Sequence, residues 1–190
     1  MQAYGVGMVV DLSFPSLADE QVVLRPWDEA DVPQQLEAFR DPLFLTHSDW
    51  QPLSADEARR RLGDQEESRL RGEQIELAVV DDEDAAVLLG GASLSWVNEK
   101  DRRASLGYWL APAARGRGVA SRSVRLIARW AFETLHLARL EITCGPDNLG
   151  SQHVAQRCGF TREGVLRSHL PFKGARRDAV VFSLLPGELI

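Results

Sequence analysis

Long apolar runs are missing from this 190-residue sequence. No stretch approaches the ~20 consecutive apolar residues of a membrane span, so the chain is expected to be soluble and to have no membrane partner. The opening Met1 to Val10 is mildly apolar, but it has no basic flank and Asp11 cuts it short. A signal peptide is therefore not expected, and a cytoplasmic location follows. Cysteine is scarce too: Cys144 and Cys158 stand too far apart for a Cys-x-x-Cys pair, and the 4 histidines form no ligand-spaced cluster. That argues against a disulfide framework and gives no sign of a metal site. Repeats, long linkers and low-complexity segments are also absent. The chain 1–190 thus reads as one domain with its core over about 21–185, long enough to bury a substantial interior unaided.

The charge of −6 is unevenly spread. Residues 1–100 carry 8 basic and 21 acidic groups, whereas residues 101–190 carry 14 basic and 7 acidic groups. Uneven surface charge alone would explain this; an anionic ligand held by the second half and a cationic one by the first would explain it equally.

Hydrophobic periodicity predicts about seven strands and four helices. Gln21 to Arg25 reads as a strand, followed by a helix to about Arg40 with Val32, Leu36 and Phe39 on one face and Pro42 as its stop. Ser54-Ala55-Asp56-Glu57 has capping-box spacing, which starts a second helix running to about Arg71. Residues 74–80 and 87–96 form a hairpin around the acidic turn 81–84, and 103–110 is a further strand. A helix from about Val119 to Leu135 separates it from the strand 138–144, and this crossover makes the two strands parallel within a mixed sheet. A short helix over 149–158 ends at Gly159, and strands 160–167 and 178–185 close the fold around a loop containing Pro171 and Gly174. The class is α+β.

Between strand and helix lies Arg115-Gly116-Arg117-Gly118-Val119-Ala120-Ser121. Free backbone N–H groups at the helix start and the helix dipole can hold an anion there. Glycines at 116 and 118 let the backbone approach it, and two arginines add donors that match phosphate oxygens. A tight turn with solvated arginines is the plainer alternative. The segment lacks the Gly-Lys-Ser/Thr of a P-loop and the third glycine of a dinucleotide fingerprint.

This loop resembles the pyrophosphate loop of the GNAT acyltransferase superfamily, Arg/Gln-x-x-Gly-x-Gly/Ala, at Arg115, Gly118 and Ala120. Further segments resemble the ribosomal-protein N-terminal acetyltransferase branch in the same order: Leu106-Gly107-Tyr108-Trp109-Leu110, Asn148-x-x-Ser151, and Cys158-Gly159-Phe160-x-x-Glu163-Gly164. The resemblance implies a GNAT-like sheet, mostly antiparallel, whose strands ending near Leu110 and Cys144 splay apart around the pantetheine arm. It implies an acyl-CoA-dependent N-acyltransferase, with acetyl-CoA as co-substrate and a primary amine as acceptor, working by direct attack in a ternary complex. Acetyl-CoA would lie along Trp109, Leu110, Arg115, Gly116, Arg117, Gly118, Val119, Ala120, Ser121 and Asn148, and a homodimer is admitted.

Asn148 would bond the pantetheine arm, or else serve as a helix cap or turn residue. Ser151 would be the catalytic donor to the departing thiolate, or merely a first-turn cap. Many superfamily members carry a tyrosine general acid seven residues after the asparagine, where this chain has Ala155, so tyrosine is not expected in that role. An amine with a pKa near ~10 must lose a proton before attack. The branch's glutamate is replaced by Ser105, which leaves Asp49, His47, Glu99, Asp101, Glu141 and His169 as bases among which the sequence does not choose. Trp50 with Pro52 and Leu53 would wall the acceptor pocket or sit in the core. Because tyrosine and glutamate are both missing from their places, a non-catalytic acyl-CoA-binding regulatory domain is the alternative. The acidic balance and the lack of an aromatic-basic surface argue against nucleic-acid binding.

Overall fold

The computed structural model describes residues 13, 15, 17–98 and 101–190; the apolar opening segment, Glu99 and Lys100 lie outside the described residues. The strands are β1 (Leu17–Ala18), β2 (Val22–Arg25), β3 (Gln74–Asp81), β4 (Leu88–Asn98), β5 (Arg103–Leu110), β6 (Arg139–Cys144), β7 (Thr161–Phe172) and β8 (Ala175–Leu184). They make one 8-stranded sheet in the order β1-β2-β3-β4-β5-β6-β8-β7. Every neighbouring pair is antiparallel except β5 and β6, which the crossover helix α4 (Val119–Glu133) forces into parallel alignment. The other helices are α1 (Val32–Ala38), α2 (Pro42–His47), α3 (Ala55–Leu70) and α5 (Leu149–Arg157). Among the described residues, no helix is long and apolar enough to cross a membrane.

Strand alternation assigns the two sheet faces. Ile75, Leu94 and Leu106 stand opposite one another across β3, β4 and β5. With Leu140, Ile142 and Phe182 they join the main core, into which α4 inserts Val124, Ile127 and Ala131 and α5 inserts Ala155. Phe182, Ile127 and Leu140 are almost fully buried, and each such side chain contributes about 1.5–3 kcal/mol relative to exposure. On the opposite face Glu76, Ser93 and Gly107 share a row, and a small cluster of Ala78, Val80 and Leu88 packs with Trp27 and Trp109. A Cβ on Gly90 would strike the Trp109 carbonyl oxygen, and one on Gly91 its indole nitrogen, so the paired glycines admit that tryptophan.

Three elements differ from expectation. Pro42 begins a helix instead of ending one: it occupies the first turn of α2, where a proline N–H is not needed, and Asp41 caps that helix by accepting from the Phe44 N–H at 2.8 Å. The two-residue β1, too short to leave a pattern, adds the eighth strand. The final hairpin runs further than the expected loop, because Lys173 (φ 50°) and Gly174 (φ 76°) close it in a two-residue turn. Pro171 is tolerated because β7 is the edge strand.

The parallel pairing stops early. Only Arg103 with Arg139, Ala104 with Leu140, and Ser105 with Glu141 are matched, although β5 continues to Leu110 and β6 to Cys144. Beyond Ser105 each strand follows its other neighbour, β5 along β4 to Gly90 and β6 along β8 to Val180. The expected splay is present.

Candidate active site

A cleft of about 680 Å³ opens at the splay, and the loop after β5 forms one end of it. Gly118 is the N-cap of α4 with φ 82° and ψ −4°, and no side chain caps the helix. Its first helical bond is Arg122 N–H to the Gly118 carbonyl, at 3.1 Å, which leaves the preceding N–H groups without helical acceptors. Gly116 shares the left-handed conformation, and a Cβ at either glycine would meet nothing within 4 Å. The result is an uncapped helix start facing open space, a cradle for an anion. Val119, Ala120 and Ser121, the first turn of α4, line the cleft beside it.

The two arginines part company. Arg115 lines the cleft, but its guanidinium donates to Asp41 at 2.6 Å and to the Leu110 carbonyl at 3.4 Å, fastening α2 to the loop. That hydrogen bond is the largest influence on the Asp41 carboxyl, and the net effect is to hold it below the usual carboxylate range. Arg117 turns away, lies 3.8 Å from Asp81, and faces a second groove shared with Arg122, Arg125, Arg129 and Arg157. The grooves meet at Gly118 and Ser121.

Asn148, at the mouth of β6, is the N-cap of α5: its Oδ1 accepts from the Ser151 N–H at 3.0 Å. The amide nitrogen of the same side chain is not used in that bond, and Asn148 lines the cleft. Ser151 also lines it. Its hydroxyl caps nothing, so the cap alternative holds for Asn148 and not for Ser151. Facing Ser151 is Tyr108 of β5, whose hydroxyl is buried without a well-formed hydrogen bond.

Aromatic rings wall the opposite side. Phe39 meets Trp50 edge-on at 4.5 Å and Trp109 at 4.7 Å, Phe44 stacks on Phe39 at 4.4 Å, and Trp27 stacks on Trp109 at 6.1 Å. Trp50 and Leu53 line the cleft while Pro52 is exposed. The Trp109 side chain therefore belongs to this wall. Leu110 contributes to the cleft from the end of β5.

Of the sequence-level base candidates among the described residues, His47 alone lines the cleft, with its Nδ1 buried, unbonded and 4.0 Å from Asp147. Asp49 accepts from the Lys173 N–H at 2.7 Å, Glu141 pairs with Arg139 at 2.7 Å, and Asp101 lies 3.5 Å from Arg103. His169 is exposed on β7, and Glu99 lies outside the described residues. Sequence reasoning missed Glu76, a half-buried carboxylate in the cleft wall. It accepts from Gln65 Nε2 at 2.5 Å and from Gln74, and burial pushes its pKa up against the opposing influence of Arg61. The signal was available as one charged residue inside the apolar run Ile75 to Val80.

The tip of the β7–β8 hairpin straps the cleft from outside. Lys173 donates its backbone N–H to Asp49 and its ammonium to the Leu45 carbonyl at 2.7 Å, and Arg177 pairs with Asp147. Among the described residues there is no group of His, Cys, Asp and Glu that could hold a metal ion.

Known proteins share this architecture. The family model Acetyltransferase (GNAT) domain matches residues 21–161. A Bacillus subtilis (strain 168) protein, YdaF, provisionally named a ribosomal N-acetyltransferase, is 37% identical over 101 residues, 53% of this chain and 55% of that relative. The chain thus aligns with about half the length of that relative. A Vibrio cholerae structure, provisionally named a ribosomal-protein-serine acetyltransferase, superposes with a TM-score of 0.80 at 26% identity, covering 94% of this chain and 100% of that one. The microcin C7 self-immunity acetyltransferase MccE, solved in complex with acetyl-CoA and AMP, shares the fold with a TM-score of 0.82 at 19% identity, over 93% of this chain and 99% of that one. With the family model spanning most of its length and its fold shared with these structures, the chain belongs to the GNAT acetyltransferase family.

Proposed function

We propose that this protein is an N-acetyltransferase that moves an acetyl group from acetyl-CoA to a primary amine by direct attack in a ternary complex. One observation carries the reading: an uncapped helix start, a splayed strand pair and a half-buried carboxylate open onto a single cleft. The backbone from Gly116 to Ser121 would hold the pyrophosphate, and the arginine groove beside it would supply a positive field for the nucleotide end. The pantetheine arm would pair with the strand edges freed beyond Ser105, where Asn148 adds an amide donor. Arg115 would shape the loop through Asp41, and Arg117 would act from the rim.

The acceptor would enter along the aromatic wall. Glu76 is the base of choice over His47 because it shares a row with Ser93 and Gly107, just past the last matched β5–β6 pair, where the thioester would lie. A carboxylate with a raised pKa takes the amine proton, directly or through one water, better than an ordinary one. Ser151 would donate to the leaving sulfur. Glu76 also removes the main reason for the non-catalytic alternative. The names of YdaF and the Vibrio protein favour a ribosomal-protein N-terminus as acceptor, in the cytoplasm. A cleft lined by one chain is compatible with a monomer or a homodimer.

The test is free-thiol release from acetyl-CoA with a panel of ribosomal-protein N-terminal peptides, polyamines and amino acids. Acceptor-dependent release supports the proposal. Tight CoA binding with no release across the panel would overturn it in favour of a binding domain.

A further inference from the structure

Position 155 holds alanine, but a tyrosine reaches the leaving-group side of the cleft from another element. We propose that the Tyr108 hydroxyl, acting beside Ser151, receives the sulfur of coenzyme A as the acetyl group departs, which makes Tyr108 a catalytic residue of the reaction proposed above. Tyr108 sits one residue past Gly107 in β5, so its side chain points to the sheet face covered by α5. Ser151 comes to the same place from the first turn of α5, and both residues line the cleft. The Tyr108 oxygen is shielded from water and forms no well-aligned bond; Ser151 is its polar neighbour, and Cys144 and Cys158 are ionisable side chains close enough to influence it. A buried hydroxyl whose polar neighbour, Ser151, is poorly aligned with it is a cost that folding alone does not explain. This one lies beside the gap between β5 and β6 that the pantetheine arm would fill.

The chemistry suits a hydrogen-bond donor. Burial pushes the Tyr108 phenol up to about 12, so it stays protonated where the enzyme would work. A thiol ionises near ~8.5, so the phenol donates its O–H to the sulfur without surrendering the proton. The amine nitrogen forms the C–N bond and the carbonyl pair moves to oxygen. On collapse the C=O re-forms, the C–S bond breaks with its pair on sulfur, and the amine proton passes to Glu76. The thiolate rests against the Tyr108 and Ser151 hydroxyls until it is released and protonated by water.

Tyr108→Phe removes the hydroxyl and keeps the ring. The thermal midpoint should stay close to that of the wild type, because no well-aligned protein bond is lost. The kcat should fall by about 10–100-fold with unchanged acetyl-CoA affinity, as when one transition-state donor is deleted. The loss on adding Ser151→Ala should be less than multiplicative. Calorimetry with free CoA gives a reading that needs no acceptor: wild-type affinity should rise from pH 6 to pH 9.5 as the thiol ionises, and Tyr108→Phe should flatten that rise. A folded variant with wild-type kcat, or with an undiminished rise, would overturn the role of Tyr108. Failure of the wild type to turn over any amine would instead strike the acetyltransferase reading, and the CoA measurement would still decide for Tyr108.

Discussion

Replacing Gly118 by alanine tests the anion cradle with the smallest available perturbation. At φ 82° the residue lies in the left-handed region, where an added Cβ costs about 1–2 kcal/mol. Beyond its chain neighbours no protein atom lies within 4 Å of that Cβ, so the cost is conformational and not a clash. A domain of this size holds roughly 5–15 kcal/mol of stability and loses about 2–4 °C of midpoint per kcal/mol, so the variant should stay folded with its Tm lowered by about 2–8 °C. The methyl group would occupy space that the pyrophosphate needs to reach the first-turn N–H groups, and losing two charge-assisted bonds of about 1.5–3 kcal/mol each would weaken CoA binding by at least about 100-fold. Titration calorimetry with CoA beside a melting curve on the same preparation separates the two effects. A folded Gly118→Ala protein with wild-type CoA affinity would refute the cradle. Valine is the poorer probe, because a β-branched residue in this conformation confounds affinity with folding.

Ser151→Ala should lower kcat by about 10–1,000-fold with stability within about 0.5 kcal/mol of wild type, since its hydroxyl caps nothing; an unchanged rate would remove it from the mechanism. Glu76→Gln should lower kcat/KM by about 100–10,000-fold and abolish an acidic limb lying above the usual carboxylate range, and a variant that keeps both rate and limb would return the role to His47. Because the folded pKa of Glu76 is raised, its contribution to stability is full below the usual value near 4.5 and is lost as pH rises through the folded value, so the glutamine variant should melt no lower than wild type at pH 7. Glu163 runs the other way: bonds from Arg139 and Ser183 hold it at about 2, so its contribution is present above 4.5 and lost as pH falls towards 2. That loss should shrink in Arg139→Ala and in 1 M salt, and an acid transition insensitive to both would exclude the pair.

What the sequence made legible was local. The Arg115 to Ser121 loop announced itself because glycine spacing, a preceding strand and a following amphipathic stripe are written in consecutive residues. The capping box of α3 appeared as read, with the Ser54 N–H donating to Glu57 at 2.8 Å. Pro42 misled because proline stops one helix and starts the next with the same residue, and only the Asp41 cap distinguishes the two. Long-range partners left no trace: Asp41 is 74 residues from Arg115. Glu163, a motif residue, proves to bind Arg139 at 2.5 Å and Ser183 at 2.7 Å, anchoring β7 to its neighbours. Tyr108 belongs to another motif, Leu106 to Leu110, and its 43-residue distance from Ser151 hides in the sequence that the two side chains meet.

The strap at the hairpin tip also bears on how the chain assembles. Its bonds join residues 124 and 128 positions apart, Asp49 to Lys173 and Leu45 to Lys173. Ordering so long a loop is entropically dear until both ends sit on finished structure. β3, β4 and β5 can pair through near-sequential hairpins, and β7 with β8 likewise, whereas β2 must reach β3 across α1, α2 and α3 and the three-residue β5–β6 match must wait for α4 to cross over. These separations predict that the hairpin-built parts of the sheet form before they dock and that the strap latches after docking. In the native protein the same reasoning predicts that the latch opens locally at lower cost than the β4–β5 ladder, as amide hydrogen exchange would show.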